Sequence, residues 1–137
     1  MRTLALLTLA ALAGCSTTPR EAEQAAEAAA ATEDRLAVAL AGLTPGPPQA
    51  CLEPFATRRN ASVKGYGSTL VYTISRNLKY VTVAPGCEGV GRREDILITS
   101  TPIGRNCSGD IVQTVDRTSR FPTGSCAFGQ FVPYRRP

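Results

Sequence analysis

Four cysteines in the last 87 residues, Cys51, Cys87, Cys107 and Cys126, constrain this chain more than any other feature. They are separated by 36, 20 and 19 residues. A structural zinc site draws on close pairs such as Cys-x-x-Cys, and these gaps supply none. The chain has no histidine, which rules out mixed Cys/His metal sites and histidine-based catalytic triads. In an oxidising compartment, an even number of cysteines in a small domain reads as two disulfides. The compartment therefore decides what these residues do, and the evidence for it lies at the other end of the chain.

Arg2 supplies a positive start, and Leu4 to Leu12 form an apolar run broken only by alanines and one threonine. Small residues follow. Together these are the parts of an export signal. The run is about half the ~20 residues a membrane-spanning helix needs. The signal ends in Leu12-Ala13-Gly14-Cys15, which resembles the bacterial lipobox. That resemblance implies a signal peptide of residues 1–14, cleavage before Cys15, a lipid on the Cys15 sulfur, and acylation of the new amino terminus, with palmitate as the expected chain. Two or more acyl chains anchor stably where one binds only marginally. By resemblance to lipoprotein sorting, Ser16 in place of an aspartate favours the outer membrane, with the protein facing the periplasm. The expected organisation is thus a signal (1–14), a lipidated helical tether with a Pro-rich linker (15–50), and a disulfide-stapled β domain (51–134).

In the tether, Thr18-Pro19-Arg20-Glu21 carries a cap, a proline suited to the first helical position and the glutamate of a capping box. From there to Leu43 the chain is rich in Ala, Glu and Leu, which favour helix. Leu36, Leu40 and Leu43 share one stripe, and Ala22, Ala25 and Ala29 roughly extend it. Thr44-Pro45-Gly46-Pro47-Pro48 stops the helix. A helix of this length reaches about 36 Å. Three roles stay open: a semi-rigid spacer, a helix that lays its leucine stripe on its own domain, or one that pairs with another helix.

Beyond Cys51 the hydrophobic period changes to two. Thr69–Ser75 places Leu70, Tyr72 and Ile74 on one face, Arg76-Asn77 turns the chain, and Leu78–Val83 reads as the hairpin partner. Further strands are expected at 95–100, 111–116 and 127–132, with a short opening piece at 61–64 and a loose end at 134–137. The fold class that follows is mainly β: a small antiparallel barrel or curled sheet of five to six strands behind an N-terminal helical tether. Of the three ways to pair four cysteines, a nested arrangement is expected, Cys87–Cys107 within Cys51–Cys126.

The series Cys51, Pro85-Gly86-Cys87, Cys107-Ser108-Gly109-Asp110-Ile111 and Cys126-Ala127-Phe128-Gly129-Gln130-Phe131 resembles an uncharacterised family of small proteobacterial lipoproteins that share a lipobox, a variable tether and a four-cysteine β domain. The resemblance implies the anchor and the disulfides, and no activity.

From Cys51 onward there are twelve Lys/Arg and six Asp/Glu, whereas residues 1–50 hold three and five. A basic domain held at a membrane is drawn to anionic surfaces and polymers. The arginine pairs Arg58-Arg59 and Arg92-Arg93 are the candidate contacts, because guanidinium forks match phosphate and carboxylate groups. Asp95 and Asp110 are the carboxylates that would have to pair for acid–base chemistry; Asp110, opening a strand after glycine, reads more simply as a ligand for nearby backbone amides. Gly86, Gly89 and Gly91 are not read as a phosphate loop, since no Lys-Ser/Thr ending and no helix is expected after them. No cofactor or metal is implied. The reading is a non-catalytic envelope module that binds an anionic envelope polymer or an envelope protein, not nucleic acid; the alternative is a lipid-anchored enzyme or enzyme inhibitor.

Overall fold

The computed structural model describes residues 17–53 and 61–137. Cys15, the signal segment and Arg58-Arg59 lie outside the described residues.

Helix α1 spans Pro19–Leu40. The Glu21 amide donates to Thr18 Oγ1 at 3.3 Å, and the Thr18 amide donates to Glu21 Oε2 at 2.8 Å. The capping box read from the sequence is therefore present in both directions. The helix ends one turn before Leu43, where Ala41 caps it and Gly42 takes a left-handed φ of 73°. Residues 19–31 are exposed throughout, while Thr32, Leu36, Ala39, Leu40 and Leu43 are half-buried. The leucine stripe thus lies on the chain's own domain, and the N-terminal half projects beyond it.

Among the described residues eight strands follow: β1 (Thr44–Pro45), β2 (Ser62–Tyr66), β3 (Thr69–Ser75), β4 (Leu78–Val83), β5 (Ile96–Ile98), β6 (Ile111–Val115), β7 (Pro122–Ala127) and β8 (Val132–Arg135). A one-turn helix, α2 (Gly89–Arg92), sits between β4 and β5. The strands form two antiparallel sheets, ordered β1-β8-β4-β3-β2 and β5-β6-β7. In the first, Tyr72 stands between Val63 and Tyr80, and Tyr80 faces Pro133 on β8.

The inner face of this sheet packs on the smaller one. Leu70, Tyr72 and Tyr80 meet Val112 and Cys126 across the interface, with Leu52, Phe128 and Phe131 filling between them. Tyr72, Phe128 and Phe131 contact edge to face, with centroids 5.5–6.2 Å apart, the geometry that the aromatic quadrupole favours. The outer face is covered too. Val71 points away from this core yet is only 2% exposed. Lys79, on the same outer face, donates from Nζ to the Ala39 carbonyl in the last turn of α1. That turn carries no basic residue of its own, so a lysine from the sheet supplies the cation that a helix C-terminus favours. The order of layers is helix, large sheet, small sheet.

The mainly β class expected from the sequence is present, but the described residues form two open sheets and no closed barrel. Two segments explain the difference. The strand expected at 127–132 does not exist as such: Phe128 and Phe131 both enter the core, which breaks a period of two, and residues 128–131 carry the chain from β7 in one sheet to β8 in the other. The tail expected to be loose supplies Tyr134 and Arg135 to β8. The proline-rich stretch expected as linker also joins the domain, since Thr44 and Pro45 pair with Arg135 and Tyr134, and Gln49 pairs with Phe131.

The disulfides are Cys51–Cys107 and Cys87–Cys126, a crossed arrangement that corrects the nested expectation. Backbone pairing decides it. The Leu52 amide donates to the Asn106 carbonyl at 2.8 Å and the Ser108 amide to the Ala50 carbonyl at 2.6 Å, which lays Cys51 directly beside Cys107. Cys126 faces inward from β7 under the loop after β4. That loop passes so close that a Cβ on Gly86 (φ 97°) would stand 2.6 Å from the Ser125 carbonyl oxygen. Cys87 has no route to Cys107 from there.

Candidate functional site

Arg92 and Arg93 are neighbours in sequence with different surroundings. The turn that carries them is pinned from three sides. Cys87, two residues before it, is bonded to β7. Gly91 lies against Gly65 of β2, where a Cβ on Gly65 would come within 2.9 Å of the Gly91 Cα. Arg93 then closes the turn by donating its amide to the Gly89 carbonyl at 2.8 Å. No helix follows the glycines, as read from the sequence: the next element is β5, and Gly89 and Gly91 lie within the one turn of α2 itself. Its glycines serve close backbone approach: Gly91 to β2, and Gly89 to the Arg93–Asp95 pair, which any Cβ there would strike.

Arg93 Nη2 reaches Asp95 Oδ2 at 2.7 Å. The Asp95 side chain is fully buried and that of Arg93 is half exposed. Thr123 Oγ1 donates to the same carboxylate oxygen at 2.8 Å and lies 3.0 Å from Thr114 Oγ1. The single hydroxyl proton of Thr123 is used on Asp95, so Thr114 is the donor in the second bond. This chain of groups ties α2 and the start of β5 to β6 and β7. The Arg93 guanidinium holds the Asp95 carboxyl below the ordinary carboxylate range; burial opposes this and the Thr123 hydroxyl assists it.

A stability effect with a definite sign follows. The folded pKa of Asp95 is lowered, so its contribution is complete above the unfolded value near 3.8 and is lost as pH falls through the folded value. Asp95→Asn should lower the melting temperature at pH 7 and narrow the gap to wild type in strong acid. Thermal melts at neutral and acid pH check this; an equal gap at both would overturn it.

Asp110 takes its own partner, accepting from the Cys107 amide at 2.7 Å, the role read for it from the sequence. Asp95 and Asp110 thus have separate partners and do not form a carboxylate pair. Sequence reading missed the Asp95–Thr123–Thr114 connection, because its hydroxyls lie 19 and 28 residues away and carry no motif.

Arg92 stands apart from this network and has no ion pair among the described residues. It lines a groove of about 550 Å³ between α1 and the turn joining β2 to β3. Arg35 approaches from the helix side, with Tyr66 and Gly67 on the sheet side. Arg35 donates from Nε to the Ala31 carbonyl and from Nη2 to Thr32 Oγ1, which orients the guanidinium and leaves further N–H groups for a ligand. Glu33 and Glu88 also line the groove. Glu88 accepts from the Gly86 amide at 3.1 Å, and amide hydrogen bonds hold its carboxyl below the usual range.

No family model, no curated protein and no solved structure matches this chain. No described helix is long and apolar enough to cross a membrane. Among the described residues, no group of three or more Cys, Asp or Glu is placed to hold a metal ion.

Proposed function

We propose that this chain is a lipid-anchored, non-catalytic lipoprotein of the outer membrane, facing the periplasm, that binds an anionic envelope polymer or the acidic surface of an envelope protein in the groove between α1 and β2. The observation that carries the reading is the convergence of Arg35 and Arg92, from two elements distant in sequence, on one groove beside an aromatic ring. Guanidinium groups from two directions suit a ligand that presents phosphate or carboxylate along its length. One wall of the groove is helix α1, whose first residue, Pro19, is four residues after Cys15 in the sequence. The crossed disulfides fit a domain matured outside the cytosol.

The candidate arginines separate under mutation. Arg92→Ala and Arg35→Ala should each weaken retention on lipopolysaccharide or peptidoglycan at low salt about fivefold, on the order of 1 kcal/mol for a partly exposed charge contact, with melting unchanged. Arg93→Ala should do the opposite, keeping retention and lowering the melting temperature. Unchanged retention in the Arg35→Ala/Arg92→Ala double variant would reject the groove.

A further inference from the structure

The hairpin joining β6 to β7 presents an unusual tip. Asp116 Oδ1 accepts from the Thr118 amide at 3.0 Å, the Ser119 amide at 2.7 Å and the Ser119 hydroxyl at 2.9 Å. The Asp116 amide donates to the Phe121 carbonyl at 2.9 Å, and the Arg120 amide returns to the Asp116 carbonyl at 3.0 Å. Arg120 accepts a left-handed φ of 62°. The single acid of the tip is thus turned onto the loop's own amides, and with the Phe121 amide donating to Ser119 Oγ at 3.4 Å the turn is fixed by six hydrogen bonds. What it displays is Arg117, Arg120 and Phe121. Phe121 is 73% exposed, the only aromatic side chain among the described residues left so open. Arg117 is steered across the strand ends by a 3.3 Å bond from Nε to the Glu94 carbonyl.

We infer that this tip is a membrane-interface contact: Phe121 enters the headgroup region of a bilayer while Arg117 and Arg120 meet anionic phospholipid headgroups. An exposed aromatic ring flanked by cations matches a surface that is apolar below and negatively charged above. A soluble polyanion would engage the arginines and leave the ring in water. Because the turn is already fixed, docking orders little further chain. The inference rests on the envelope reading only for the presence of a bilayer; the contact does not use the groove or Cys15.

The chain contains no tryptophan, so Phe121→Trp introduces a single reporter at the tip. The full-length lipoprotein, purified from membranes, is reconstituted on phosphatidylglycerol/phosphatidylethanolamine vesicles and on phosphatidylcholine vesicles. On the anionic vesicles the emission of the introduced indole should move to shorter wavelength and be quenched by acyl-brominated lipid. The same reporter at exposed Ile111 (Ile111→Trp), on the far end of β6, should stay solvent-like. Adding Arg117→Ala and Arg120→Ala should lower the docked-to-undocked ratio about thirtyfold, at ~1 kcal/mol per arginine. Solvent-like emission at position 121 on anionic vesicles, equal shifts at 111 and 121, or a shift produced by soluble polyanion without lipid would each overturn the inference. Co-sedimentation with phosphatidylcholine vesicles reads the lipid anchor separately, so loss of that signal counts against the lipoprotein reading alone.

Discussion

Replacing Cys87 and Cys126 by serine should cost this domain at least about 4 kcal/mol of unfolding free energy, on the order expected for releasing a loop of this length. The two residues are 39 apart in sequence and both are buried. Two serine hydroxyls left in the core without partners add roughly 1–3 kcal/mol of desolvation each. Cys51→Ser with Cys107→Ser opens a longer loop, 56 residues, also worth about 4 kcal/mol in chain entropy. Both of those residues are only half-buried, so the serine penalty there is smaller. The expected order is therefore that loss of Cys87–Cys126 is the more damaging. Urea titrations of the two double variants measure it, and a larger denaturant dependence should accompany each loss because the unfolded chain expands. A non-reducing peptide map tests the premise: it should yield peptides linking 51 to 107 and 87 to 126, and a 51–126 link would overturn the crossed arrangement.

Gly65→Ala should have the second largest effect, a loss of about 2–3 kcal/mol, at the upper end for overpacking a tight contact. The added methyl would meet the Gly91 Cα at 2.9 Å and the Val90 carbonyl carbon at 3.0 Å. Both are backbone atoms, so no side chain can rotate away; β2 and α2 must separate. Since α2 carries Arg92, the variant should also lose retention on anionic polymer while still folded at low temperature. Chemical denaturation gives the first quantity and retention at low salt the second. A folded Gly65→Ala protein with wild-type stability would show that the two backbones are not in contact.

How much of this is legible in the sequence depends on the range over which each signal acts. The N-terminal box of α1 is a four-residue pattern and is fully readable. The leucine stripe is legible in part: Leu36, Leu40 and Leu43 are half-buried on the domain, the alanines read as extending it (Ala22, Ala25, Ala29) are exposed, and only the structure decides among the three roles left open for the helix. Strands β3 and β4 carry β-branched and aromatic residues around a two-residue turn, and their bounds match the sequence reading to the residue. Strands β7 and β8 do not. Thr123-Gly124-Ser125 offers no apolar alternation, and Pro133 argues against a strand interior. The proline is tolerated because its carbonyl accepts from the Gly46 amide at 2.7 Å. In an antiparallel strand the N and C=O of one residue share a side, so the missing N–H falls toward the two-residue strand β1 and not toward β4. The cysteine pairing is illegible for a related reason: it is set by which loop lies over which strand, and no local spacing encodes that. The arginine doublet illustrates the limit for the candidate site. Sequence alone treats Arg92 and Arg93 alike, and only the buried carboxylate two residues on separates a structural arginine from one available to a ligand.

The crossed bonds also bear on survival among proteases. Any single cleavage of the backbone between residues 51 and 126 falls inside at least one of the two covalent rings, and between 87 and 107 inside both. The severed pieces stay covalently joined to each other and to the helix. Damage that would release fragments from an unbridged sandwich instead leaves one covalent body with one extra pair of chain ends.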